Sequence, residues 1–237
     1  MNEVTQDVSS DGKDDKKDDR VGVLIVDDHP LVRQGLASLI NKSPDLRVIG
    51  QAADSQGALA LMAEGEPDVA VVDLSLAGGS GIDLLKEVSR RHPNVITLVL
   101  TMHDELFYAE RALRAGARGY VMKGEETDEV LEAIREVLKG EVYVSEHLRS
   151  TLVQRAADAG PSEPGSAVES LSDRELEVFE LVGRGQPTRE IAKQLSVSVK
   201  TVETHRHRIK EKLGLRSGTE MVRYAIRWVE RQAGSPA

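Results

Sequence analysis

Five short apolar segments alternate with helical patterns between residues 21 and 139, and this alternation restricts the possible folds more than any other feature. The apolar segments have the length of strands and are VGVLIV (21–26), LRVIG (46–50), VAVV (69–72), VITLVL (95–100) and GYVM (119–122). Helical patterns lie near 30–42, 55–65, 81–92, 105–116 and 126–139. This order predicts an α/β fold, in which helices cover both faces of a doubly wound, five-stranded parallel sheet.

The rest of the chain divides by composition. Residues 1–20 are almost free of apolar side chains and predict a disordered leader, ahead of a first domain at 21–140. A linker is expected at 141–166, because it contains most of a stretch rich in Gly, Pro and Ser, and a second, all-α domain at 167–232 precedes a tail at 233–237. Cysteine is absent, which excludes disulfides, and the polar N-terminus and the lack of a long apolar segment predict a cytoplasmic protein without a membrane span.

Polar side chains follow four of the five predicted strands. Asp27 and Asp28 follow the first strand, Asp73 the third, Thr101 the fourth and Lys123 the fifth. In a doubly wound sheet these carboxyl ends meet at one crevice. Three carboxylates there predict a Mg²⁺ site with Asp73 as a nucleophile towards phosphorus, while the lysine and the hydroxyl bind the phosphoryl oxygens.

Each of these residues also has a plain structural explanation. Paired aspartates are common at turns and helix N-caps, Asp73 alone could cap the next helix, and a single lysine is usually a surface residue. The glycine-rich AGGSG at 77–81 lacks the GK[ST] ending of a phosphate-binding loop and is interpreted as a turn before the next helix. The case for a site therefore depends on the strand order.

The segments around these positions resemble the receiver domain of response regulators. They are DD at 27–28, VDLSLAGGSGIDLL around Asp73, LVLTMHDE around Thr101 and GARGYVMKG around Lys123. The resemblance implies a flavodoxin-like fold and phosphorylation of Asp73 by a sensor histidine kinase. It also implies a Mg²⁺ site, in which Asp28, Asp73 and the Ser75 carbonyl bind the metal and Asp27 acts through water. Finally, it implies that Thr101 and Tyr120 form a switch pair.

Two positions depart from the common receiver pattern, since Ala77 and Gly124 stand where many receivers have proline. The first affects the loop after Asp73, and the second makes a cis peptide bond after Lys123 improbable. Ser75 and His103 flank the expected phosphorylation site, where they should influence the lifetime of the phosphoryl group.

The C-terminal segment has the pattern of short helices with well-marked ends. Ser172 with Glu175, and Ser217 with Glu220, have the spacing of capping boxes. SVS at 196–198 predicts a tight turn between helices at 188–195 and 199–213, which is the arrangement of a helix-turn-helix. In the second of these helices Val202, Ile209 and Leu213 should face inward. The candidate DNA contacts are Lys200, Thr201, Glu203, Thr204, Arg206, His207, Arg208 and Lys210.

Within that set, cations would contact phosphates, and Thr204 or His207 would contact base edges. A charged, solvated helix is the alternative interpretation. A metal site at His205 and His207 is rejected, because positions i and i+2 point to different faces of a helix.

LSDRELEVFELVGRG and REIAKQLSVSVKTVETHRHRIKEKLGL resemble the LuxR-type helix-turn-helix across about 167–232. A receiver followed by this module is typical of the NarL/FixJ subfamily. The resemblance implies a DNA-binding transcriptional regulator of a two-component system, not an enzyme. Its partners would be a sensor histidine kinase, promoter DNA, a second copy of the chain after phosphorylation, and RNA polymerase as a further candidate.

Two departures from the LuxR-type pattern concern the DNA-binding helices. Pro187 stands where serine is usual, which a helix entrance tolerates. Glu203 stands where some members have a DNA-reading lysine, so it would accept from a cytosine amine or orient a neighbouring arginine.

The two parts of the chain carry opposite net charge. Residues 21–169 hold 14 basic and 24 acidic side chains, a net charge of −10, and 170–237 hold 13 and 9, a net charge of +4. A tethered pair of opposite charge predicts that the unphosphorylated receiver covers the recognition helix. Two other classes stay open at this point, namely an enzyme that hydrolyses phosphoesters through Asp73 and a signalling module that acts only through protein contacts.

Overall fold

The structure is a computed structural model that describes residues 19–76, 79–124, 127–158 and 167–233. The predicted leader up to residue 18, Ala77, the linker segment 159–166 and the end of the predicted tail lie outside the described residues.

The first domain is the predicted parallel sheet. Its strands are β1 (Val21–Val26), β2 (Leu46–Ala52), β3 (Val69–Val72), β4 (Ile96–Thr101) and β5 (Gly119–Met122), in the spatial order β2-β1-β3-β4-β5. The helices between and after them are α1 (Pro30–Lys42), α2 (Ser55–Glu64), α3 (Gly81–Arg91), α4 (Glu105–Arg114) and α5 (Thr127–Leu138). Every pairing of neighbouring strands in this sheet is parallel, which confirms the predicted doubly wound fold.

Alternate residues of each strand supply the cores on the two faces. In β1 the side chains of Val23 and Ile25 pack with those of α1 and α5, while Leu24 and Val26 pack with those of α2, α3 and α4. Because both faces are covered, a strand needs apolar residues at every position, which is why the strands appear in the sequence as unbroken apolar segments.

The glycine-rich segment after Asp73 belongs to a small antiparallel hairpin, in which Ser75–Leu76 pairs with Gly79–Ser80. A Cβ added at Gly81 would lie 2.3 Å from the carbonyl oxygen of Asp73, so only glycine fits this close approach. Gly81 begins α3, and its role is therefore to let that helix pack beside Asp73, in agreement with a turn rather than a phosphate-binding loop.

The second domain consists of α7 (Asp173–Gly183), α8 (Thr188–Gln194), α9 (Val199–Lys212) and α10 (Gly218–Ala233), preceded by a short 3₁₀ helix at Ala167–Ser170. The capping box of Ser172 and Glu175 is present at the start of α7. The second predicted box is half formed: Ser217 Oγ accepts from the Glu220 amide, but the Glu220 carboxylate accepts from the Arg216 amide instead.

Two further features were not predicted from sequence. A helix, α6 (Glu146–Asp158), lies within the predicted linker. It packs against the hydrophobic core through Leu148, which is 2% exposed. In the turn between α8 and α9, Ser196 adopts a positive φ of 52°, a conformation that few residues other than glycine take.

Candidate functional site

Three carboxylates and one lysine meet at the carboxyl edge of the sheet. Asp27 and Asp73 are each 3% exposed. The Lys123 ammonium group lies 2.7 Å from Asp27 Oδ2 and 2.5 Å from Asp73 Oδ2. Burial lowers the pKa of Lys123, but its two carboxylate partners outweigh this, so the pKa lies above its ordinary value. The lysine therefore stays charged and offsets the repulsion between the two acids.

Asp28 stands at the mouth of this cluster beside His29, whose Nδ1 is 2.7 Å from Asp28 Oδ1. Burial, followed by the charges of Asp73 and Asp27, raises the pKa of Asp28 above its ordinary range. Although His29 Nδ1 is close, Asp28 Oδ1 is a buried atom that forms no hydrogen bond with any of the described residues. A buried carboxylate oxygen without a hydrogen bond fits a bound cation.

The donor set also fits such a cation. Asp27, Asp28, His29 and Asp73 each offer one ligand atom, and these atoms lie within 4.8 Å of one another. Hard cations such as Mg²⁺ prefer carboxylate oxygens and keep several waters. The chemistry of these residues is therefore appropriate for Mg²⁺.

The predicted switch residues are both buried. Thr101 is fully buried, and its Oγ1 accepts a 3.4 Å hydrogen bond from the His103 amide. Tyr120 is 1% exposed and donates its hydroxyl to the carbonyl oxygen of His103 at 2.9 Å. The tyrosine thus already occupies an inward position, and its reorientation on phosphorylation stays a prediction.

The loop after Asp73 touches the loop after β4. The Ser75 amide donates to Asp73 Oδ1 at 3.2 Å, and Ser75 Oγ lies 2.8 Å from His103 Nε2. Ser75 therefore lies beside the Asp73 carboxylate, and His103 lies against Ser75. The assignment of the Ser75 carbonyl to the metal stays a prediction. After Lys123, Gly124 has a φ of +119°, and no cis peptide bond occurs among the described residues.

The recognition-helix candidate α9 has one buried and one open face. Val202 and Ile209 are fully buried, and Leu213 is partly buried. Exposed candidates for DNA contact are Lys200, Glu203, Thr204, His207 and Arg208, while Thr201, Arg206 and Lys210 are partly buried.

Several of these side chains are held by local contacts. Thr201 bonds to the N-cap Ser198 through its amide and hydroxyl. Glu203 Oε1 accepts from the Thr188 hydroxyl at 3.1 Å and lies 3.9 Å from Arg206 Nε. Of the two roles expected for Glu203, this geometry matches the orientation of a neighbouring arginine.

The two domains are in contact, but through α7 and α10 rather than through α9. Asp173 lies 3.1 Å from both Lys86 and Arg111 of the first domain, and the Trp228 ring lies 4.5 Å from that of Phe107. The open face of α9 is not covered, so the predicted masking of the recognition helix is wrong for this conformation.

Sequence reasoning missed the centre of this contact, Glu180 of α7. It is 3% exposed, and its Oε2 lies 3.8 Å from His103 Nδ1. Burial raises the pKa of Glu180, but His103 and Arg184 outweigh this and lower it. For His103, burial lowers the pKa, and Glu180, Glu177 and Asp73 together raise it above its ordinary value. The sequence signal was available only as the four acids of α7, which are Asp173, Glu175, Glu177 and Glu180, in an otherwise basic domain.

A cluster of acids and a lysine at the carboxyl edge of a doubly wound sheet, joined to a helix-turn-helix, is the arrangement of a response regulator with a DNA-binding output domain. Residues 23–135 match the family described as response regulator receiver domain, and 169–225 match the bacterial regulatory proteins of the luxR family. The oxygen regulatory protein NreC of Staphylococcus aureus is 39% identical over 209 residues, which cover 86% of this chain and 96% of that protein.

Solved structures agree with this class. RcsB of Salmonella enterica serovar Typhimurium, bound to promoter rprA with BeF3-, is 27% identical with a TM-score of 0.57, covering 87% of this chain and 98% of that one. A LuxR-family response regulator from Aurantimonas is 33% identical with a TM-score of 0.55, covering 59% and 99%. The chain belongs to the NarL/FixJ-type response regulators of two-component systems.

This assignment has two consequences. The family consists of DNA-binding transcription regulators, so the interpretation as a phosphoester-hydrolysing enzyme and the interpretation as a module acting only through protein contacts are both set aside. Within the part of the chain that the structure describes, no helix is long and apolar enough to cross a membrane.

Proposed function

We propose that the chain is a transcriptional regulator switched by phosphorylation of Asp73 by a sensor histidine kinase. The observation that carries the proposal is the position of Asp73, buried 2.5 Å from the Lys123 ammonium group at the edge where the carboxylates and Thr101 converge. An Asp73 carboxylate oxygen would form a bond to phosphorus, while the bond from phosphorus to the imidazole nitrogen of the kinase histidine breaks.

The neighbouring residues would have distinct tasks in this step. Asp27, Asp28, Asp73 and the Ser75 carbonyl would hold Mg²⁺, which supplies charge for the incoming phosphoryl oxygens. Lys123 would bind a phosphoryl oxygen, and Thr101 would donate its hydroxyl to another. Tyr120 would respond to the movement of Thr101 as the second member of the switch pair.

Labelling with acetyl phosphate tests this proposal. With Mg²⁺ present, the wild type should gain one phosphoryl group, and Asp73→Asn should gain none. Asp83→Asn is the matched control, because the Asp83 side chain is 71% exposed and away from the cluster, and it should label like the wild type. Labelling of Asp73→Asn at wild-type stoichiometry would refute the acceptor assignment, and labelling in EDTA would refute the role of the metal.

The output step would be binding to promoter DNA through the open face of α9. Lys200, Arg206, Arg208 and Lys210 are the proposed phosphate contacts, and Thr204 and His207 the proposed base contacts, with Glu203 and Thr201 supporting their neighbours. RcsB, a relative, has been solved on promoter DNA with BeF3- and as two dimers on two DNAs. These relatives support a homodimer that binds promoter DNA on phosphorylation. Action in the cytoplasm and a contact with RNA polymerase are further parts of the proposal.

A binding assay with full-length protein separates the two kinds of contact. Thr204→Ala with His207→Ala should reduce the difference in affinity between cognate and random duplexes. Lys200→Ala should weaken binding to both duplexes about equally. If both kinds of variant changed the affinities for the cognate and random duplexes in the same way, the assignment of base and phosphate contacts on α9 would be wrong.

A further inference from the structure

A continuous line of contacts runs from the phosphoacceptor into the DNA-binding domain. The Ser75 amide donates to Asp73 Oδ1 at 3.2 Å, and the Ser75 hydroxyl lies 2.8 Å from His103 Nε2. The other nitrogen of that ring, Nδ1, faces Glu180 Oε2 at 3.8 Å. Glu180 belongs to α7. A side chain of the second domain therefore faces His103, which in turn contacts Ser75, the residue whose amide donates to Asp73.

The ring of His103 is held on three sides. Its side chain is 13% exposed, and its ring centroid lies 4.4 Å from that of Tyr108. Tyr108 is fully buried, and its pKa lies well above its ordinary value because of burial and the charges of Glu180 and Glu177. The charges of Glu180 and Glu177 act on both rings. The other oxygen of Glu180, Oε1, lies 2.6 Å from the Arg184 guanidinium group. The Glu180 carboxylate is therefore held by Arg184 on one side, and its other oxygen faces the imidazole.

We propose that Glu180 is a positioning residue for the phosphoacceptor, which holds His103 against Ser75 and thereby slows hydrolysis of the aspartyl phosphate. The proposal rests on the proposed function, in which Asp73 carries the phosphoryl group. It means that the DNA-binding domain, when docked, extends the lifetime of the signal that controls it.

The chemistry of hydrolysis gives the direction of the effect. A water oxygen forms a bond to phosphorus, the bond from phosphorus to the Asp73 oxygen breaks, and the proton of the water passes to a base, which leaves a carboxylate and inorganic phosphate. While Nε2 is engaged by Ser75 and Nδ1 faces Glu180, neither nitrogen of His103 is available as that base. Without the carboxylate the ring is free to turn towards the acceptor and to take the proton.

The experiment measures the decay of the phosphorylated full-length chain. The protein is labelled with acetyl phosphate and Mg²⁺, the acetyl phosphate is removed, and the phosphorylated fraction is followed by intact mass. The phosphorylated fraction of Glu180→Ala should decay about five- to tenfold faster than that of the wild type. This factor lies in the lower part of the range that is usual for coupling between two sites. Glu180→Gln, which keeps a hydrogen-bond acceptor, should stay within about twofold of the wild type.

Two controls separate positioning from docking and from damage to the fold. Asp173→Ala removes the ion pairs to Lys86 and Arg111 at the same domain contact but keeps both Glu180 and His103, so its decay should change less than that of Glu180→Ala. His103→Ala and the double variant His103→Ala with Glu180→Ala should decay at the same rate, because Glu180 acts only through the ring. If Glu180→Ala does not fold, Glu180→Leu, which fills the buried space without a charge, takes its place.

The inference is overturned if Glu180→Ala decays at the wild-type rate, if Asp173→Ala accelerates decay as much, or if Glu180→Ala still accelerates decay without His103. A wild type that takes up no phosphoryl group overturns the proposed function and, with it, this inference. A labelled wild type with an unaltered Glu180→Ala variant overturns the inference alone.

Discussion

Replacing Lys123 by Met should destabilise the receiver domain strongly in the absence of metal. The lysine side chain is 11% exposed, and its ammonium group lies within 2.7 Å of the carboxylates of Asp27 and Asp73. The side chains of these two residues are 4% and 3% exposed, respectively. Removing one partner of a buried ion pair costs about 3–5 kcal/mol, because the other charge stays buried without compensation. Methionine retains the apolar stem, so the loss reports on charge rather than on packing.

The assay is urea unfolding in EDTA, followed by circular dichroism. Combining Lys123→Met with Asp73→Asn removes one of the uncompensated charges and should recover about 1–3 kcal/mol. Mg²⁺ at about 100 times its dissociation constant should return up to about 2.7 kcal/mol. Lys139→Met, which removes an exposed lysine paired with Glu136, should cost no more than about 0.5 kcal/mol. A loss below about 1 kcal/mol for Lys123→Met, or no recovery with Asp73→Asn, would refute this account of the cluster.

Three other changes are open to measurement. Burial raises the pKa of Asp28, so ionisation of this carboxyl at neutral pH lowers the free energy of unfolding. In acid the carboxyl is protonated in both the folded and the unfolded chain, and this loss of stability disappears. Asp28→Asn should therefore raise the melting temperature in EDTA at pH 7 but not at about pH 3; an equal gain at both would contradict this. Gly183→Ala places a Cβ 2.6 Å from the Ala225 carbonyl oxygen and should cost about 1–3 kcal/mol in thermal unfolding, whereas Gly218→Ala meets nothing within 4 Å and should cost nothing. Arg208→Ala should lower the slope of log affinity against log salt by about one, and an unchanged slope would exclude a phosphate contact.

The fold was predictable because its sheet is buried on both faces. Strand residues such as Val23 and Leu24 are both buried although they point to opposite sides, so each strand appears in the sequence as a short apolar segment. The convergence of Asp27, Asp73 and Lys123 followed from that topology, because the carboxyl ends of parallel strands lie at one edge.

The domain contact was not predictable, because net charge is a sum over a whole surface and a contact depends on a few side chains. The net charges predicted a basic second domain resting on an acidic receiver. In the structure the signs are reversed at the contact, where the carboxylates of Asp173 and Glu180 meet Lys86, Arg111 and His103 of the receiver. The helix α6 was missed because its segment is largely polar, and among its described side chains only that of Leu148 is buried.

The aromatic contact between the domains has a practical value. The chain contains one tryptophan and two phenylalanines, and all three meet here, with Trp228 4.5 Å from Phe107 and 5.5 Å from Phe179. Separation of the domains would move one face of the indole from an aromatic neighbour into water. The protein thus carries its own fluorophore at the contact between its domains, and the wavelength of its emission should report in real time, without any label, whether the two domains are together or apart.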